Sequence, residues 1–86
     1  METSVDISLY PLKEEFIPAV AEFIQRISAY PGVNVVRNDL STQLFGDYDR
    51  IMDLLKIEIR HSWQTHGKGV FVIKFLMEDL RGLKDA

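Results

Sequence analysis

A four-stranded antiparallel sheet with two helices on one face, an α+β sandwich of βαββαβ order, is the fold predicted by the hydrophobic periodicity of this 86-residue sequence. Three observations carry that prediction. Two segments repeat apolar residues at helical spacing, four shorter segments alternate or are rich in apolar and β-branched residues, and Pro or Gly marks most changes of period.

Val5-Asp6-Ile7-Ser8-Leu9-Tyr10 alternates apolar and polar, the pattern of a half-buried strand over 5–10, and Pro11 ends it. Phe16, Val20, Phe23, Ile24 and Ile27 then form one stripe of a helix over 15–30. Pro18 is tolerated in its first turn, where N–H groups lack intrahelical partners, and Glu14 and Glu15 lie near the positive end of the dipole. After Pro31-Gly32, the run Val33–Asn38 reads as a second strand, Asn38-Asp39 as a turn, and Ser41–Phe45 as a short third strand. Gly46-Asp47 gives a break and an N-cap. The second helix, over 48–66, carries the stripe Tyr48, Ile51, Met52, Leu55 and Ile59 and ends at Gly67. Val70–Met77 is the last strand, and residues 78–86 form a charged tail expected to fray.

This order is the split βαβ arrangement of ferredoxin-like folds, in one domain spanning residues 1–86. One sheet face has no helix over it. Alternation points Val5, Ile7, Leu9, Thr42, Leu44, Phe71, Ile73 and Phe75 toward the helices. Asp6, Ser8, Tyr10, Ser41 and Gln43 then converge on the open face, flanked by Phe45, Val72 and Leu76, with Lys74 also outward. Directed polar groups between apolar walls suit a small-molecule site. A solvated face with a weak Asp6–Lys74 pair, or a sheet-to-sheet contact between copies, fits the same pattern.

Composition narrows the partners. The chain has 47% hydrophobic residues, no cysteine and a net charge of −3. Its ten scattered basic residues argue against nucleic acid, and no apolar run approaches the ~20 residues that span a bilayer. The first residues lack the basic and apolar regions of a signal peptide, so a cytoplasmic protein is expected. His61 and His66, five apart, share no helical face and have no third ligand in view, so neither a metal nor any other cofactor is expected. Neither Ser8 nor Ser41 has an evident His/Asp partner, and no catalytic constellation emerges. Trp63 reads as packing and Gly67-Lys68-Gly69 as a turn.

Two segments add a resemblance. Ser8-Leu9-Tyr10-Pro11-Leu12, and Ser41-Thr42-Gln43 followed by Gly46 and Asp47, resemble the YkoF-like thiamine-binding family, with matching element order from about Val5 to Met77. The resemblance implies a non-catalytic domain that binds thiamine or its hydroxymethylpyrimidine moiety and associates through its sheets as a homo-oligomer, a dimer or tetramer. It assigns ligand binding to Ser8, Tyr10, Ser41, Thr42 and Gln43, with Gly46 supplying the turn. The alternative expectation is a homo-oligomeric sensor or assembly domain with a different small ligand.

Overall fold

The computed structural model describes residues 1–82; the part of the expected frayed tail at 83–86 lies outside the described residues. Six elements follow in the predicted order: β1 (Glu2–Pro11), α1 (Ile17–Ser28), β2 (Asn34–Arg37), β3 (Thr42–Asp47), α2 (Tyr48–His66) and β4 (Gly69–Met77). They make one antiparallel sheet of order β2-β3-β1-β4 with both helices against one face. The register confirms the face assignment. Val5 lies opposite Leu44 and Phe75, while Asp6 lies opposite Gln43 and Lys74 on the other face.

Burial of the inward stripe holds the layers together. Val5, Ile7 and Leu44 meet Phe23 and Ile27 of α1 and Ile51, Leu54 and Leu55 of α2. Each such side chain contributes about 1.5–3 kcal/mol when fully buried. Phe71 links both helices to β4, with its ring 5.1 Å from Phe23 and edge-on to Trp63 at 5.8 Å. The Trp63 indole N–H donates to the Gly69 carbonyl at 2.9 Å, which fixes the turn into β4.

Several boundaries differ from the sequence expectation. α1 begins at Ile17 with Pro18 in its first turn, so Glu14 and Glu15 precede the helix and do not cap its dipole. Ser41 belongs to the β2–β3 turn, and β3 runs without a break through Gly46 into α2. Gly46 therefore supplies no turn. It lies opposite Thr3, and a Cβ there would stand 3.1 Å from the Gly32 carbonyl oxygen, so its small size admits the neighbouring backbone. Asp47 does cap α2, accepting the Arg50 N–H at 3.2 Å.

The buried face of α2 is rotated from the apolar stripe. Ile51, Leu54, Leu55, Glu58 and Ser62 are buried, whereas Met52 is exposed. Glu58 explains the rotation. The residue is 3% exposed, and its carboxylate receives hydrogen bonds from Arg26 Nε and the Tyr30 hydroxyl of the α1 side. A reading by hydrophobicity alone puts such a carboxylate outside.

Residues 78–82 fold back onto the open face. Glu78 turns it with φ 87°, in the left-handed region unusual for a side-chain-bearing residue. The Ser4 hydroxyl donates to the Glu78 carbonyl at 2.9 Å and accepts the Leu80 N–H at 2.9 Å. The Arg81 guanidinium stacks over Phe45, 5.3 Å from the ring centre. This strap buries Ser4 and hides Phe45, both of which strand alternation places outward.

Candidate functional site

β1 outruns β3. Their pairing stops at Ile7 opposite Thr42, while β1 and β4 stay paired to Pro11 opposite Gly69. From Ser8 to Pro11 no strand among the described residues lies beside the β3-side edge of β1. Alternate residues there direct their N–H and C=O groups into the gap. The β2–β3 turn crosses in front of it, closed by the Asn38 N–H donating to the Ser41 carbonyl at 2.9 Å. The Ser8 hydroxyl donates to the Leu40 carbonyl at 3.3 Å and ties turn to strand.

Between this gap and α1 is a cavity of ≈ 430 Å³. Phe16, Val20, Phe23 and Ile24 form its apolar wall, with Ile7 and Leu9 from β1. Ser8, Tyr10, Ser41, Thr42 and the turn residues Arg37–Leu40 supply the polar side and mouth. The volume and the mixture of lining groups are those of small-molecule sites, roughly 300–1,000 Å³. Leu40 is 91% exposed at the turn, and exposed Tyr10, Leu12, Phe16 and Ile17 give the surrounding surface an apolar character.

Four of the six residues singled out in the sequence, Ser8, Tyr10, Ser41 and Thr42, thus line one cavity. It lies at the end of the sheet rather than at the centre of the open face. Thr42 points inward by alternation and for that reason reaches the cavity, which extends under the sheet toward α1. Gln43 points the other way and lines a separate cleft on the open face with Asp6. Gly46 is at the opposite end of β3, away from both. The α1 wall and the Asn38–Leu40 turn went unassigned in the sequence. Half-buried Val20 and Ile24 fit the core stripe of the helix, and the one available signal is a leucine inside a polar turn.

A second cluster joins the helices. His61 Nε2 and His66 Nε2 both approach Glu22 Oε1, at 3.0 and 3.1 Å. Side chains five apart on α2 meet through one carboxylate of α1. Among the described residues no His, Cys, Asp or Glu group has metal-holding geometry.

Four carboxylates, Glu22, Asp47, Glu58 and Asp79, share one direction of shift. The His66 hydrogen bond holds Glu22 below the usual carboxylate range, and the Arg50 N–H does the same for Asp47. Burial pushes Glu58 up, but its bonds from Arg26 and Tyr30 together outweigh that and hold it low. Arg81 holds Asp79 down to about 2. With each folded-state value depressed, the unfolded chain takes up protons first as pH falls. Their stabilisation is complete above the ordinary carboxylate range and is lost as pH falls through the depressed values. The urea midpoint is therefore expected to be lower at pH 3 than at pH 6; equal midpoints would show that these contacts contribute nothing.

The sequence profile of the YKOF-related family matches residues 2–75. A protein of Thermotoga maritima assigned provisionally to thiamine biosynthesis or salvage superimposes with a TM-score of 0.87 at 20% identity, covering 98% of this chain and 95% of that one. A Streptococcus pneumoniae protein gives 0.85 at 20% identity over 99% and 96%, and one from Methanocaldococcus jannaschii 0.81 at 19% over 99% and 98%. At these identities the likeness establishes the fold. No curated protein sequence matches the chain.

Proposed function

The chain belongs to the YkoF-related family, and from that premise we propose that its sheet-end cavity binds thiamine or the hydroxymethylpyrimidine moiety, without catalysis. The observation that carries this reading is the meeting of Ser8, Tyr10, Ser41 and Thr42, from two distant segments, on one cavity. The provisional thiamine assignment of the Thermotoga maritima protein supports it.

The chemistry fits. An aminopyrimidine presents ring-nitrogen acceptors and an amine donor along one edge. Serine and threonine hydroxyls both donate and accept, and the free edge of β1 offers backbone groups of each kind. The ring faces would lie against Phe16 and Val20. Arg37 and Asp39 both line the cavity with opposite charges, so their fields on a thiazolium cation oppose each other and recognition rests on the enclosed pyrimidine. Ser8 donates to a backbone carbonyl and not to a base, which favours binding over nucleophilic chemistry.

Thr42→Val, which removes a cavity hydroxyl and preserves shape, is expected to weaken thiamine binding by about 0.5–1.5 kcal/mol. Gln43→Ala, in the other cleft, is expected to leave it unchanged. Calorimetry on both variants checks this, and the reverse pattern would move the site to the open face.

Self-association of this cytoplasmic binder, as a dimer or tetramer, is the companion proposal. Val70 and Val72 are exposed beside the outer edge of β4, which has no strand partner among the described residues. An apolar strip against an unsatisfied strand edge favours pairing with a second copy. Light scattering on a sizing column is expected to give a multiple of 9.9 kDa; a monomer at micromolar concentration would refute it.

A further inference from the structure

The open face carries a second concavity that shares no lining residue with the first, ≈ 500 Å³ in volume. Its floor holds Asp6 and Gln43, direct partners across β1 and β3. Val36, Phe45 and Leu76 form apolar walls, and the strap Leu80–Gly82 closes one side. The cleft is built in advance, because Ser4 fastens the strap through both hydrogen bonds of its hydroxyl.

Its charges select a ligand class. The Arg81 guanidinium is held by Asp79 at 2.7 Å, so these two cancel. Asp6 is half-buried, and among the described residues neither it nor Gln43 has a side-chain hydrogen bond or ion pair. Lys74, its neighbour across β4, makes no ion pair with it within 4.0 Å. An anion would be repelled by Asp6, and an apolar ligand would leave that carboxylate desolvated. A planar cation with two parallel N–H groups matches the carboxylate fork, and the Gln43 carbonyl can accept a further N–H. The wall already accepts such a group, since Arg81 lays its own guanidinium on Phe45. We propose that this cleft is a second ligand site, for a small amidinium or guanidinium cation, independent of the sheet-end cavity.

Benzamidinium is the probe, titrated into the ¹⁵N-labelled chain at neutral pH. Saturable shifts are expected at Asp6, Gln43, Phe45 and Leu80–Gly82, with none from benzamide or benzoate. Asp6→Asn is expected to weaken binding about tenfold or more, in keeping with loss of a charged hydrogen-bond acceptor. Lys74→Gln, which removes the neighbouring like charge, is expected to tighten it. Thiamine titration serves as the separate control, since its shifts belong at Ser8–Tyr10 and Ser41–Thr42 and report only on the first cavity. Equal binding by benzamide, wild-type affinity in a folded Asp6→Asn variant, or cleft amides already covered by a second copy would each overturn the proposal.

Discussion

Ser41→Phe is expected to reduce thiamine binding by at least about 100-fold, ~2.7 kcal/mol, while the protein stays folded. Ser41 lies in the turn that forms the cavity mouth and is outside the hydrophobic core, so the new ring competes with ligand for the cavity instead of displacing packed residues. The backbone bond that closes the turn, from Asn38 N–H to the Ser41 carbonyl, does not involve the side chain. A small site encloses most of its ligand, and a bulky group in its volume removes many contacts at once. Calorimetry gives the affinity, and the amide spectrum shows whether β1–β3 register survives. Unchanged affinity in a folded Ser41→Phe protein would place the ligand elsewhere.

Leu44→Ala has the largest expected effect on stability, a loss of about 3–5 kcal/mol. Leu44 is fully buried in β3 between Val5 of β1 and Val35 of β2, beneath both helices. Truncation there leaves a void lined by strands that cannot collapse without breaking register. A chain of this length has a total stability of only about 4–13 kcal/mol, so the variant is expected to be partly unfolded under mild conditions. Val36→Ala, on the exposed side of β2, is the control, with a change within about 0.5 kcal/mol. Urea unfolding distinguishes the two; similar midpoints would contradict the packing described for β3.

The face assignment was legible because a strand with one buried face repeats with period two, so Lys74 alone orients β4 and Asp6 orients β1. The two helices were legible from their apolar spacing, but not the rotation of α2. That rotation depends on Glu58 meeting Arg26 and Tyr30, partners 32 and 28 residues away, and no local pattern announces a satisfied buried carboxylate. The candidate site was half legible. Ser8, Tyr10, Ser41 and Thr42 lie in segments that the sequence marks out, but their meeting point depends on where β1–β3 pairing stops. Register is a long-range property, and the alternation of each strand is satisfied by several registers that differ by two residues. The same gap in the reading put Gln43 with Ser8, Tyr10 and Ser41, because alternation sorts residues by face and not by position along the sheet. The strap was illegible for a third reason. Glu78 reverses the chain in a conformation usually associated with glycine, and Ser4, some 74 residues earlier, holds it there.

The most direct test of the account is calorimetric titration of thiamine, and separately of hydroxymethylpyrimidine, into the 86-residue protein at neutral pH. The account predicts one saturable site per chain for thiamine, at a Kd on the order of micromolar, ~−8 kcal/mol, with hydroxymethylpyrimidine competing for it. Absence of heat and of spectral change with both compounds would contradict it.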